Sequence, residues 1–216
     1  MLSAHNLRFA YARDGFVLRV PELTVQAGTT LGLGGPSGTG KTTLLRLLCG
    51  ILRPDEGSLK FGEADVLALA PAAVRRLRRC DMGLVFQDFA LLDYLTVEQN
   101  VLLPLRLAGE AQPAHSPRAR DLVERLEIGK HWGKLTRELS QGERQRVAVV
   151  RALAHQPKLV LADEPTSSLD ARRKGLVMDL LVEYAKEQNA SLVMVTHDTE
   201  LFSKLDRVVN VEDWTP

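Results

Sequence analysis

Residues 35–42 read Gly35-Pro36-Ser37-Gly38-Thr39-Gly40-Lys41-Thr42, an unbroken G-x-x-x-x-G-K-T loop. No other feature restricts the fold of this chain as much, because such a loop works only between a strand and a helix. The apolar run Thr30-Leu31-Gly32-Leu33 precedes it, and Leu44, Leu45, Leu47 and Leu48 follow at helical spacing. The glycines let the backbone wrap a polyphosphate, with its N–H groups and the positive end of the next helix facing the negative charge. In that geometry Lys41 reaches the β- and γ-phosphates and the Thr42 hydroxyl ligates Mg²⁺. Average composition would produce the motif in a chain this long roughly once in a hundred. The strand–loop–helix context makes a turn that binds nothing rarer still.

The rest of the chain reads as α/β. Strands and a turn are expected over residues 16–33, and the helix after the loop should run from Lys41 to about Leu52, ahead of the turn Pro54-Asp55-Glu56-Gly57. Met82-Gly83-Leu84-Val85-Phe86 reads as a buried strand ending at Gln87. Residues 88–155 then lose the strand pattern. Thr96-Val97-Glu98-Gln99 is a capping box opening a helix that Pro104 should end or kink, and Gly109 to Pro117 reads as a link. Ser140-Gln141-Gly142-Glu143 is a second capping box, opening a helix to about His155. Strands return at Leu159–Ala162, Leu192–Val195 and Val208–Val211, with a long helix between the first two. The expectation is one domain with a parallel core (about 1–87 and 156–216) interrupted by a helical subdomain (about 88–155).

Composition narrows the partners. Net charge is +1, so nothing pulls the chain toward nucleic acid, and Arg75-Arg76-Leu77-Arg78-Arg79 reads as a solvated helix face. Two cysteines, Cys49 and Cys80, fit buried thiols in a reducing compartment. No run approaches the ~18 apolar residues of a membrane span. A cytoplasmic chain that meets the membrane through a partner is expected.

The strand Leu159-Val160-Leu161-Ala162 ends in Asp163-Glu164. Ligands gather at the carboxyl ends of strands in this architecture. Asp163 there suits a metal, and Glu164 suits the base that polarises an attacking water.

Leu139-Ser140-Gln141-Gly142-Glu143-Arg144-Gln145-Arg146 resembles the signature motif of ATP-binding cassette (ABC) ATPases. A capped helix alone would explain the segment, but the order of motifs rejects that. The phosphate loop, Gln87, the signature, Asp163-Glu164-Pro165, Ser167-Ser168-Leu169-Asp170 and Thr196-His197-Asp198 follow in the family's sequence, from about Tyr11 to Asp198. The resemblance implies a P-loop NTPase fold with a RecA-like core. It implies an ATP- and Mg²⁺-dependent ATPase that forms a head-to-tail homodimer on ATP and drives integral membrane permease subunits from the inner face of the membrane.

Carried residue by residue, the resemblance gives Lys41, Thr42 and Asp163 to the phosphates and metal, and Thr43 to the α-phosphate. Glu164 becomes the base, Gln87 the sensor of Mg²⁺ and water, and His197 the γ-phosphate contact. Ser140, Gln141, Gly142 and Glu143 would meet the other protomer's nucleotide, with Ser140 and Gly142 facing the phosphate, and Asp170 would link the two sites. Tyr11 would stack on adenine, or Phe16 in its place. Gln141 and Glu143 depart from the commonest signature, which has Gly and Gln there. The stretches Phe86–Leu92 and Leu95–Val101 resemble compact bacterial cassettes of lipoprotein release, macrolide export and cell division. That likeness would place a permease helix near Phe89, Leu91, Leu92, Tyr94 and Leu95. A signalling cassette of the cell-division type, or a soluble cassette, stays open. Only five residues follow Val211, so no C-terminal regulatory domain is expected.

Overall fold

The computed structural model describes residues 1–11, 15–108 and 115–214. Its centre is a five-stranded, wholly parallel sheet. The strands are β3 (Thr30–Gly34), β6 (Met82–Val85), β7 (Leu159–Asp163), β8 (Ser191–Val195) and β9 (Arg207–Asn210), in the order β6-β7-β8-β3-β9. β3, β7 and β8 are buried along their whole length, which is why they read as apolar runs rather than as alternation. Alternate residues still serve opposite faces. Val160, Ala162, Leu192 and Met194 enter one hydrophobic core, and Leu159, Leu161, Val193 and Val195 enter the other. Parallel pairing brings the carboxyl ends of β3, β7 and β8 to one edge of the molecule.

The second core lies under an antiparallel sheet that the sequence reading registered only in part. It consists of β1 (Leu2–Ala10), β2 (Val17–Val25), β4 (Glu56–Phe61) and β5 (Ala64–Asp65), ordered β2-β1-β4-β5. β4 covers what was expected to be the end of a turn. Its register against β1 shifts between His5 and Arg8, and Gly57 (φ +102°) sits at that irregularity, where a Cβ would lie 2.4 Å from the Asn6 carbonyl.

α1 (Lys41–Leu48) ends four residues earlier than expected. Gly50 turns left-handed at φ +64°, and the N–H groups of Ile51 and Leu52 both return to the Arg46 carbonyl. The basic run lies on α2 (Pro71–Asp81), which has no buried residue. Arg78 is nonetheless more than solvated: its guanidinium donates to the carbonyls of Cys49 (3.3 Å) and Gly50 (2.9 Å), closing the end of α1. Cys49 is buried as expected, whereas Cys80 is only half-buried.

Among the described residues, every element between β6 and β7 is helical: α3 (Val97–Ala108), α4 (His115–Arg125), two short 3-10 turns and α5 (Gln141–Leu153). Both capping boxes form. Thr96 exchanges hydrogen bonds with Gln99, and Ser140 with Glu143. Pro104 does not end α3. Of the expected link, 109–114 lie outside the described residues, and His115–Pro117 are already helical. α6 (Ala171–Glu187) joins β7 to β8.

Candidate functional site

The phosphate loop leaves the end of β3 with Gly35, Gly38 and Gly40 all left-handed, at φ +126°, +86° and +90°. Two of them are crowded by neighbouring side chains as well. A Cβ on Gly35 would lie 2.8 Å from Asn210 Oδ1, and one on Gly40 2.6 Å from the Phe16 ring. The buried Lys41 ammonium folds back across the loop and donates to the carbonyls of Gly35 (2.7 Å) and Pro36 (2.6 Å). Thr39 Oγ1 donates to Pro36 as well, at 2.9 Å. Burial lowers the Lys41 pKa, and the nearby Glu164 and Asp163 oppose that shift.

The loop forms one side of a cavity of about 430 Å³, lined on that side by Ser37, Gly38, Gly40, Lys41, Thr42 and Thr43. Gln87, Asp163, Glu164 and His197 line it as well. Thr42 Oγ1 donates to Asp163 Oδ2 at 2.7 Å, so the first helix residues and the end of β7 meet directly. Glu164 is left-handed (φ +50°), and its N–H donates to the Val195 carbonyl at 3.0 Å. That turn aims the side chain off the sheet and into the cavity wall. Glu164 Oε1 is buried with no hydrogen bond among the described residues, and His197 Nε2 lies 3.4 Å from it. Burial holds the Glu164 carboxyl above the usual carboxylate range, with Asp163 adding to the shift and His197 opposing it. Tyr11 and Phe16 both line the cavity, their ring centroids 6.1 Å apart, and Tyr11 Oη is 3.4 Å from Thr43 Oγ1.

The signature residues and Asp170 do not line this cavity. Ser140 and Gln141 are exposed at the amino end of α5. The Ser140 N–H and Oγ–H both donate to Glu143 Oε2 at 2.8 Å, and Glu143 Oε1 lies 2.8 Å from Nε2 of buried His131. Burial pushes the Glu143 carboxyl up, but the Ser140 hydrogen bonds and His131 outweigh it, and the net shift is downward. Gly142 packs on the Ser168 carbonyl, 3.0 Å from where its Cβ would be. Asp170 caps α6, accepting from the Arg173 N–H at 2.9 Å.

Two further polar side chains of α5 escaped the sequence reading. Gln145 is fully buried; it donates to the Glu164 carbonyl (2.8 Å) and accepts from Ser168 N–H (3.2 Å). Arg151 donates to the carbonyls of Phe89 (2.8 Å) and Ala90. Those two residues are consecutively left-handed, at φ +63° and +46°, a conformation that costs a non-glycine residue on the order of 1 kcal/mol or more. Burial lowers the Arg151 pKa to about 10, against the pull of Asp88, so the guanidinium is charged at neutral pH. The only signal in the sequence was a polar residue either side of the apolar run Val147–Val150. Of the apolar cluster after Gln87, Phe89 and Leu91 are buried and Tyr94 is exposed.

The sequence profile of the ABC transporter family matches residues 18–167. An uncharacterised ABC transporter ATP-binding protein of Mycobacterium tuberculosis is 43% identical over 97% of this chain, which spans 64% of that protein's length. The lipoprotein-releasing system ATP-binding protein LolD of Legionella pneumophila is 40% identical over 89% of this chain and 85% of its own. The methionine import ATP-binding protein MetN of Caulobacter vibrioides is 39% identical over 96% of this chain and 63% of its own. Among solved structures, the dimeric post-hydrolysis state of the cassette MJ0796 bound to ADP and Pi superposes with a TM-score of 0.90 at 30% identity. It covers 99% of this chain and 95% of that one.

Proposed function

This chain belongs to the ABC transporter family, and from that premise we propose that it binds and hydrolyses ATP as the nucleotide-binding subunit of a membrane transporter. The observation that carries the reading is the meeting, at one edge of the parallel sheet, of Lys41, the Thr42–Asp163 pair and the Glu164–His197 pair around one cavity. Lys41 releases its two loop carbonyls and turns its charge to the β- and γ-phosphates. The hydroxyl and carboxylate oxygens of Thr42 and Asp163, with Gln87 beside them, are hard donors that fit Mg²⁺. A bound ion there would supply charge that neutralises the phosphates. Glu164, proton-accepting and desolvated, takes the proton of the attacking water, and His197 orients it from the same wall. Tyr11 or Phe16 offers a face to the base.

Two chains complete each site. Ser140, Gln141, Gly142 and Glu143 stand away from the chain's own cavity at a capped helix end that favours anions. In a head-to-tail dimer that end closes over the partner's γ-phosphate, and Asp170 lies at the shared seam. The described helices include none long and apolar enough to cross a membrane. In this reading force passes to integral membrane permease subunits at the inner face of the membrane. Residues 88–155 act as the helical subdomain that carries it, and the core is 1–87 with 156–216. A groove of about 430 Å³, including Phe86, Leu103, Pro104 and the exposed Leu107, is the apolar face offered to the permease. The likeness to LolD supports an exporter or a lipoprotein- or lipid-extracting system.

The test compares the wild type with Glu164→Gln. The variant keeps ATP affinity but loses roughly 100-fold or more of steady-state phosphate release, because the amide cannot accept the proton. Release near the wild-type rate removes Glu164 from the base role.

A further inference from the structure

We propose that Arg151 is a positioning residue for hydrolysis: its guanidinium holds the Phe89–Ala90 backbone left-handed and thereby fixes Gln87 in the cavity wall. The proposal rests on the reading of Gln87 as the residue beside the γ-phosphate and attacking water.

Gln87 lies inside a tight turn closed by the Phe89 N–H on the Phe86 carbonyl at 3.0 Å. Where that turn leaves, the chain takes two successive left-handed residues, neither of them glycine. An unaided chain relaxes from such a pair toward right-handed or extended backbone, and the turn before it moves too. Arg151 opposes this with two N–H groups on two successive carbonyls, which a planar fork of donors is built to do. Downstream, Asn100 accepts from the Leu92 N–H at 2.9 Å, so the segment is held on both sides of Ala90.

Arg151 is not among the residues lining the nucleotide cavity. It lines the apolar groove, together with Phe86 and Ala90. The same clamp therefore joins the groove to the cavity wall. It also belongs to α5, whose other polar arm, Gln145, holds the turn after Glu164, so one rigid helix positions both the Gln87 and the Glu164 sides of the site.

The experiment measures kcat, KM for ATP and thermal unfolding of the full chain for Arg151→Gln and Arg151→Lys, alone and with Ala90→Gly. Glu164→Gln is run alongside. Arg151→Gln should lower kcat at least tenfold with KM within about threefold and a single cooperative melt. Arg151→Lys, with one compact ammonium for two carbonyls, should fall between that variant and the wild type. Ala90→Gly should recover kcat several-fold in the Arg151→Gln background, because glycine adopts the left-handed conformation without strain. A folded Arg151→Gln with kcat within twofold of the wild type overturns the proposal. So does a loss of kcat that Ala90→Gly does not recover, since the arginine would then act only as packing. If Arg151→Gln does not fold, the comparison is read from Arg151→Lys with and without Ala90→Gly, with the same two outcomes. A Glu164→Gln variant that still turns over contradicts the assignment of the site itself, whatever Arg151 does.

Discussion

At Glu164 burial and charge oppose each other. The side chain is buried next to Asp163, and its Oε1 is left without a hydrogen bond among the described residues. Burial raises its pKa, so the folded chain holds a proton at this group that the unfolded chain has already released. Stability from Glu164 therefore falls as pH rises above the ordinary carboxylate range. Nucleotide-free Glu164→Gln should melt above the wild type at pH 8, with the gap closing toward pH 4.5. A wild type that melts higher at pH 8 means the His197 contact outweighs the desolvation. The residues at this cavity were legible because their chemistry is local: a lysine and threonine at the end of a glycine loop, two acids at the end of a strand. Gln145 and Arg151 were not. Their partners are backbone carbonyls at Glu164, Phe89 and Ala90, and no side-chain type in the sequence marks a carbonyl that needs a donor.

The elements that position the site meet through close backbone approaches. α5 lies against β6 at Gly83, where a Cβ would fall 2.2 Å from the Ala152 carbonyl and 2.9 Å from Pro157. Gly83→Ala should push the last turn of α5 away from the sheet, at a cost of about 1–3 kcal/mol, the usual cost of overpacking. Urea unfolding measures it, and an unchanged midpoint shows that the helix end shifts freely. Elements buried on both faces, β3, β7 and β8, could be read from apolar runs, and both capping boxes marked helix starts correctly. α1 was read too long because Ile51 and Leu52 continue its apolar pattern, whereas Gly50 and the Arg78 clamp end it. β1 and β4 were missed because a register shift at Gly57 breaks the alternation, and β5 because it is only two residues long.

At the scale of the whole molecule, the parallel sheet gathers the cavity-lining groups at one edge, while α5 carries Ser140 to a separate, exposed helix end. In the proposed dimer, each chain would therefore supply two half-sites rather than one whole site. Order along the chain conveyed the family and its fold, since the motifs follow the family's sequence, although composition and charge said nothing of either. The central claim is that Lys41 of one chain and Ser140 of another close on the same ATP. Light scattering on Glu164→Gln tests it most directly, with and without ATP, and again with Ser140→Arg added. The account predicts one chain per particle without nucleotide, two with ATP, and one again in the double variant despite ATP. A particle that stays single when ATP is bound to Glu164→Gln, or a double variant that still pairs on ATP, contradicts it.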